Sequence, residues 1–366
     1  MRPISTLSAE KLGFLHLIIM SCIFDDQVRF GATEDEDAIE ELTVRRSAAR
    51  LSNMSVAGTA RAFDRKLLGP SVHHLSTTLL SNTVAAVTRI RLGKGHYAQK
   101  SFGALLDPGD VNIWQTVHSY VLVTTADLVC PRDGELGAAY VDYLAHSLTG
   151  CQAGDDSDEV GLATALLSYS WGNKLRSVTS ALTEWVIGNQ RDPTRTYIWI
   201  CSLCLNQHDF ENRVAKLSSG SGPEALQREF GERVVAIGLL LPMLDPWLDP
   251  EMLSRAWCLF EINIAIRNRE SVEIDIILSA SERQSFLNAI NAEGYSVVDG
   301  AFAHIQSAKA TATVAADLDA IRALIQSTPG GFETVDDTVH LYPALGCPAR
   351  GASDSRCHGS PAAEYS

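Results

Sequence analysis

The sequence predicts an α/β fold with a doubly wound parallel sheet, and three observations indicate this class. Uncharged apolar stretches begin at residues 160, 196 and 239. Each is short enough for a strand that is covered on both faces, and such strands are apolar throughout. Segments whose apolar residues recur at helical spacing follow them. Alternating strands and helices of this kind are typical of a doubly wound sheet.

The elements can be placed in chain order. The first predicted strand, residues 160–172, precedes a helix at 174–187. The second, 196–205, precedes a helix at 223–238 that has proline in its first turn. In the third, 239–244, Pro242 indicates an edge strand or a strand end, because proline cannot donate to a ladder.

The segment 245–269 predicts a helix capped by Asp249, with Pro250 at its first position. Apolar residues lie on both sides of this helix, which predicts that both are covered. Glu261 is the only acid between Met252 and Arg269. A carboxylate there is costly unless it is paired or used in function. Spacing alone favours the first explanation, an ion pair with Arg255 or with a basic residue elsewhere.

The remaining segments are assigned more briefly. Residues 272–278 alternate and predict a half-exposed strand. Helices are predicted at 138–148, at 281–291 with Ser281 as cap, and at 315–326, whereas 111–129 fits a strand, a helix or one of each. Segments 36–51 and 57–68 have the composition of helices.

An acidic connection at 151–159 marks a change in pattern. We therefore divide the chain into an N-terminal region of undefined, partly helical fold (1–135), an α/β domain (136–345) and a disordered tail (346–366). The tail is rich in glycine, serine, proline and alanine.

Composition is that of a globular protein, with 46% hydrophobic and 20% charged residues. The net charge of −14 argues against a nucleic-acid partner, because phosphate binding needs clustered Lys and Arg. The apolar run 12–24 is too short to span a bilayer comfortably. The run resembles the core of a signal peptide, but Asp25 and Asp26 follow it and no cleavage site is evident. We therefore favour a buried or interfacial helix over a cleaved signal, and we expect no membrane partner.

Eight cysteines are scattered along the chain. We expect them to be reduced and mostly buried, as in a cytoplasmic protein. Cys201 and Cys204 form a CxxC inside a predicted strand, where an odd separation would place them on opposite faces. No metal site is therefore expected.

Polar and aromatic residues follow each predicted strand of the sheet. They are SYSWG at 168–172, NQH at 206–208 and DPW at 245–247. Sites of doubly wound sheets form at the carboxyl ends of the strands. These clusters should therefore meet at one rim, beside the helix that bears Glu261.

Four blocks carry a family resemblance: SYSWG (168–172), WICSLCLNQH (199–208), DPWLDP (245–250) and SRAWCLFEI (254–262). In order and spacing they resemble the TIR-like domains of protists and microalgae, which in some proteins are joined to tetratricopeptide repeats of kinesin-light-chain type. The resemblance covers 138–335, and we find no such repeats here. It implies a flavodoxin-like fold with a five-stranded parallel sheet.

The resemblance also implies a role in signal transduction, with homotypic contacts through the domain. In TIR domains that cleave NAD, the glutamate of the WCLFEI block is catalytic, which assigns that role to Glu261. A carboxylate can stabilise the oxocarbenium character that develops when the nicotinamide–ribose bond breaks. NAD would be substrate, without a separate cofactor. The expected substrate-binding residues are Ser170, Trp171, Asn206, His208, Asp245, Trp247 and Trp257.

The chain departs from the family at two positions. The usual Asp-x-Phe-x-Ser opening is Ala165-Leu166-Leu167-Ser168, and Tyr169 stands where closer relatives commonly have histidine. Two other functions remain open: an assembly module with Glu261 as a structural acid, and a sensor that binds a nucleotide without cleaving it. Ordinary structural roles also remain open for Trp199, Trp257, His208, Asp245 and Asp249 in the core, loops, turns or caps.

Overall fold

The computed structural model describes residues 66–92, 110–148, 159–209, 230–294, 297, 306–312, 315–327, 330–333 and 336. The apolar run 12–24, the segment 36–51 and the tail from 346 lie outside these residues. In the part of the chain that is described, no helix has both the length and the apolarity needed to cross a bilayer.

Two short strands form a separate antiparallel pair. They are β1 (Leu68–Pro70) and β2 (Val160–Leu162), with Gly69 opposite Gly161. β1 also lies against the following sheet, because a Cβ atom placed on Gly69 would be 2.4 Å from the carbonyl oxygen of Ile198. The indole N–H of Trp199 donates to the Lys66 carbonyl at 3.0 Å. Residues 66–70 are thus built into the sheet region.

The main sheet is parallel and has four strands within the described residues. They are β3 (Ala165–Ser168), β4 (Ile198–Trp199), β5 (Leu239–Pro242) and β6 (Glu273–Ile274), in the spatial order β4-β3-β5-β6. All residues of β3 and β5 are buried, so both faces of the sheet are covered. The α/β class with a parallel sheet is confirmed.

Two helices before β2 are each interrupted by a π-helical turn. α1 runs through Val72–His74, Leu75–Leu79 and Leu80–Leu92, and α2 through Ile113–Thr116, Val117–Val121 and Leu122–Thr125. α3 is Tyr140–Leu148. Of the three alternatives for 111–129, the helix is therefore correct.

Within the described ranges, six further helices accompany the sheet, together with 3-10 turns at Glu251–Ser254 and Ser307–Lys309. They are α4 (Leu175–Gly188), α5 (Cys201–Cys204), α6 (Glu232–Ile237), α7 (Ala256–Arg267), α8 (Ala280–Glu293) and α9 (Ala315–Gln326). α4 packs against α1 and α8, whereas α7 packs against α6, α9 and β5. The predictions for 174–187 and 315–326 are confirmed.

Two predicted strands are shorter than expected. The apolar stretch 160–172 contains both β2 and β3, because Ala163 N–H bonds the Leu67 carbonyl (2.8 Å) and Thr164 N–H bonds the Tyr197 carbonyl (2.8 Å) between them. The stretch 196–205 ends its strand at Trp199 and turns into α5. An edge position for Pro242 is wrong, since β5 is an inner strand, but Pro242 does lie at its end.

The CxxC lies on α5, so the expected placement on opposite strand faces is wrong. Residues three apart on a helix lie on the same side. Cys204 closes the turn, because the Ile200 N–H donates to its Sγ at 3.2 Å and its own N–H donates to the Ile200 carbonyl at 2.8 Å. All four described cysteines are free thiols: Cys130, Cys201, Cys204 and Cys258.

The predicted continuous helix from Asp249 is broken. Arg255 is extended (φ −102°, ψ 124°) between the 3-10 turn and α7. Thr311 replaces the missing helical bonds, since its N–H donates to the Ser254 carbonyl and its carbonyl accepts from the Ala256 N–H, both at 2.9 Å. Similarly, α8 is capped by Ser279 rather than by Ser281.

Candidate functional site

The site region is where the strand order reverses. From β3 the chain moves to β4 on one side of the sheet and then returns to β5 on the other. Ligands of open α/β sheets bind outside the carboxyl ends of the strands at this point. The loops 169–173 and 243–247 follow β3 and β5 there.

Asn173 holds these two loops together. Its side-chain nitrogen donates to the backbone carbonyl of Asp245 at 2.7 Å, and its side-chain oxygen accepts from the Ser170 N–H at 2.8 Å. The side chain is almost fully buried. Sequence analysis missed this residue, and the only local signal was an asparagine just after the glycine of the loop.

Ser170 is tied to the 3-10 turn before α7. Its hydroxyl donates to Oε2 of Glu251 at 2.6 Å and accepts from the Gly172 N–H at 3.2 Å. A short O–H···O⁻ bond of this kind is stronger than a neutral one. Glu251 therefore fixes Ser170, a contact that the sequence did not indicate.

Glu261 lies in the middle of α7, near the ends of β3 and β4. It keeps some exposed surface, but its carboxyl group is enclosed by protein atoms. This desolvation raises the pKa of Glu261 to about 7, against an opposing effect of the nearby Ser168 hydroxyl. Glu261 makes no ion pair with any described residue, so the expected partner Arg255 does not neutralise it.

Tyr169 and the thiols of Cys201 and Cys258 lie near this carboxyl group, and Cys204 lies one turn after Cys201 on α5. The Tyr169 hydroxyl donates to Ser202 Oγ at 2.7 Å and lies 3.5 Å from Cys201 Sγ, and Cys258 Sγ donates to the Tyr169 carbonyl at 3.3 Å. Burial raises the pKa of Cys204 to about 12. The pKa values of Cys201 and Cys258 are also raised, mainly by burial and to a smaller extent by the charge of Glu261. None of these groups is a ready nucleophile at neutral pH.

The three predicted tryptophans differ in their surroundings. Trp171 is partly buried and close enough to Cys201 to lower the pKa of that thiol. Trp247 is buried, and its indole N–H donates to Ser285 Oγ at 3.2 Å. The ring of Trp257 packs edge-on against Phe230, with 4.7 Å between centroids. Trp171 is thereby connected to the surroundings of Glu261, and Trp257 lies one turn before Glu261 on α7.

Asn206 and His208 bind the segment 125–137 instead. The Asn206 side chain donates to the Gly137 carbonyl at 2.9 Å, and His208 Nε2 lies 2.9 Å from Thr125 Oγ1. The imidazole lies directly over Gly137, where a Cβ atom would be 2.5 Å from its Cγ. Burial lowers the pKa of His208. These contacts join the turn after α5 to the end of α2 and the loop before α3.

Two polar atoms near the central strand ends are buried without a hydrogen bond of standard geometry to a described residue. They are Oγ of Ser168, the last residue of β3, and Oδ2 of Asp245, which follows β5. Buried polar groups normally have partners, so such atoms call for an explanation. Within the described ranges, no three His, Cys, Asp or Glu side chains are grouped to hold a metal ion.

Comparison of the chain with family models, with curated proteins and with solved structures gave no match.

Proposed function

We propose that this chain is a TIR-like signalling protein that binds a nucleotide and hydrolyses NAD at its nicotinamide–ribose bond with Glu261. The observation that carries the proposal is the state of Glu261: a desolvated carboxyl group near the strand ends, without an ion pair to a described residue. A structural ion pair can also shift the pKa of an acidic residue. Glu261 forms no ion pair with a described residue, so an ion pair of that kind does not explain its raised pKa.

The strand order supports a flavodoxin-like fold for the domain. Numbered along the chain, the parallel strands lie in the order 2-1-3-4, which agrees with the flavodoxin order 2-1-3-4-5 over the four strands described. In that fold, the ligand binds between the first and third strands. Here these are β3 and β5, whose following loops are joined by Asn173.

The chemistry requires an anion close to the ribose. When the C1′–N bond breaks, the electron pair leaves with nicotinamide, which departs as a neutral molecule. The sugar then carries positive charge until water forms the new C1′–O bond and releases a proton. An ionised Glu261 in a desolvated site stabilises that charge. Oδ2 of Asp245, which has no hydrogen bond of standard geometry to a described residue, would accept one from a ribose hydroxyl.

The test is nicotinamide release from NAD by the purified full chain, measured at several protein concentrations. We expect release by the wild type and loss of at least 100-fold in Glu261→Gln, which keeps shape but cannot ionise. Glu270→Gln, an exposed acid just beyond α7, is the matched control and should retain activity.

Two results would contradict the proposal. Equal rates of nicotinamide release by the wild type and Glu261→Gln would show that Glu261 is not a catalytic residue. No release, and no rise in melting temperature with NAD, would instead favour a non-catalytic assembly module. A rise in melting temperature without release would indicate a nucleotide sensor.

A further inference from the structure

The carboxylate of Glu251 lies on the loop after β3. Its Oε2 accepts the 2.6 Å hydrogen bond from the Ser170 hydroxyl. It also covers Gly172, because a Cβ atom placed there would be 2.4 Å from Oε2 and 3.3 Å from Oε1. The loop lies at the carboxyl end of a central strand, where ligands of open α/β sheets bind. A negatively charged side chain of the protein therefore occupies part of the rim where we place the nucleotide.

The loop that receives this carboxylate is held from two other sides. The Asn173 side chain joins it to the loop after β5. The start of α2 is bonded to it as well, since the Ile113 N–H donates to the Asn173 carbonyl (3.1 Å) and the Trp114 N–H to the Trp171 carbonyl (3.2 Å). Ser170 itself is almost fully buried. The conformation of this loop therefore does not depend on the carboxylate alone.

Glu251 is the partner that can move. The 3-10 turn that carries it is anchored by the buried side chains of Met252 and Leu253, whereas Glu251 itself is exposed. The Leu253 N–H donates to the Pro250 carbonyl at 2.9 Å and closes the turn. No ion pair joins the Glu251 carboxylate to a described residue. Rotation about the side-chain bonds can therefore withdraw the carboxylate from Ser170 while the backbone keeps its path.

We propose that the position of this carboxylate is a phosphate subsite of the nucleotide, and that Glu251 competes with the phosphate for it. This inference rests on the proposed function. A phosphate oxygen would accept the hydrogen bond that Ser170 now donates to Glu251, and the glycine at position 172 leaves room for the group. Two anions repel each other at such a distance, so the phosphate binds only when the carboxylate moves out. Breaking the charge-assisted bond between Ser170 and Glu251 then lowers the affinity for ligands that carry a phosphate.

The test compares Glu251→Ala, Glu251→Gln and Asp249→Asn with the wild type. Asp249 is the matched control, because it is an exposed acid two positions earlier and its replacement changes the net charge equally. We would measure the Kd of the full chain for NAD, AMP and adenosine by calorimetry, and KM and kcat for nicotinamide release. Adenosine has no phosphate, so it separates the phosphate subsite from the rest of the ligand site.

We expect Glu251→Ala to lower the Kd for NAD and AMP about 10-fold, because the phosphate no longer displaces a hydrogen-bonded carboxylate. The KM for NAD should fall with it, and the Kd for adenosine should not change. Glu251→Gln should show a smaller decrease, since its amide oxygen can still accept from Ser170 but carries no charge. Asp249→Asn should change each Kd less than about twofold, because exposed charges are screened by salt.

The double variant Ser170→Ala/Glu251→Ala tests the donor. Loss of the hydroxyl should raise the Kd for AMP above that of Glu251→Ala, because the phosphate then lacks its hydrogen bond. A Kd for AMP equal to that of Glu251→Ala would overturn the assignment of the phosphate to Ser170.

Further results would overturn the inference and leave the proposed function standing. One is an unchanged or raised Kd for NAD in Glu251→Ala, beside a wild type that binds NAD. Another is an equal decrease for adenosine or in Asp249→Asn, which would show an effect that is not specific to the phosphate or to Glu251. If neither the wild type nor Glu251→Ala binds any of the three probes, both the inference and the proposed function are overturned.

Discussion

Asn173 and Asp245 join the loops of the two central strands, through a 2.7 Å hydrogen bond from the Asn173 side chain to the Asp245 carbonyl. The two residues are 72 positions apart in the chain. The bond crosses the point between β3 and β5 where the strand order reverses. The shape of the candidate site therefore depends on a contact that neither loop forms alone.

Asn173→Ala should lower the free energy of unfolding by about 1–3 kcal/mol, because the Ser170 N–H and the Asp245 carbonyl lose their partner in buried surroundings. Urea denaturation measures this change. Asn189→Ala is the control, since Asn189 also donates to a backbone carbonyl, that of Trp185, but is exposed. An equal loss in both variants would contradict the bridging role.

Glu261→Gln should stabilise the protein more at pH 8 than at pH 5. The unfolded carboxyl ionises near pH 4.5 and the folded one near 7, so the folded state holds more protons between these values. Stability of the wild type therefore falls as pH rises through this window, whereas glutamine does not titrate. The gain above pH 7 is at most ~3 kcal/mol. A gain that is independent of pH would show that the pKa of Glu261 is not raised.

Nicotinamide release by the wild type should increase as pH rises through about 7. The reason is that the raised pKa of Glu261 leaves part of the carboxyl protonated, and therefore without charge, below this value. The pH dependence of kcat/KM measures it. A rate that decreases over the same range would instead assign Glu261 the role of a proton donor.

Gly69→Ala should destabilise the fold by about 1–3 kcal/mol, because its Cβ would overlap the backbone carbonyl of Ile198 in β4, which has no room to move. Thermal unfolding measures this. Gly172→Ala is the comparison: its Cβ would also meet an oxygen at 2.4 Å, but that atom ends the exposed Glu251 side chain, which can move away at the cost of its hydrogen bond with Ser170. Equal effects would show that β1 is not fixed against β4.

Arg132→Ala should cost about 3–5 kcal/mol, because it leaves the fully buried Asp142 carboxylate without the guanidinium whose Nε lies 2.9 Å away. Chemical denaturation measures the loss. Lys174→Ala breaks an ion pair whose members are each more than half exposed, and should cost no more than about 1 kcal/mol. Similar losses of unfolding free energy in the two variants would show that burial does not make the Arg132–Asp142 pair more important for stability.

Several elements were predictable because their signal is local. Helix α4 was predictable from apolar residues at helical spacing, and the predicted ends of α9 coincide with the observed ones. The apolar cores of β3 and β5 stand out as uncharged stretches. Pro242 likewise marked a strand end, since the proline ring excludes a ladder bond at that point.

The candidate site was predictable only in part. Glu261 was detectable, because an isolated acid in an apolar helix is unusual wherever the helix packs. Asn206 and His208 belong to the same predicted rim, yet their side chains bond Gly137 and Thr125. Asn173 and Glu251 were not detectable, because the role of each depends on a contact with a distant segment of the chain.

By itself, the sequence determined the α/β class, the central apolar strands and the presence of one acid in a buried helix, because burial and helical period are recorded in neighbouring residues. Tertiary structure alone decided the break at Arg255, the turn from β4 into α5, and the contact of residues 110–114 with the loop after β3. Each of these depends on how the chain packs in three dimensions. Thr311 supplies the bonds that replace a helical turn, and Asn173 and Trp171 accept from a segment some 60 residues earlier. A local pattern does not record such partners, because the free energy of a hydrogen bond depends on which groups meet in space.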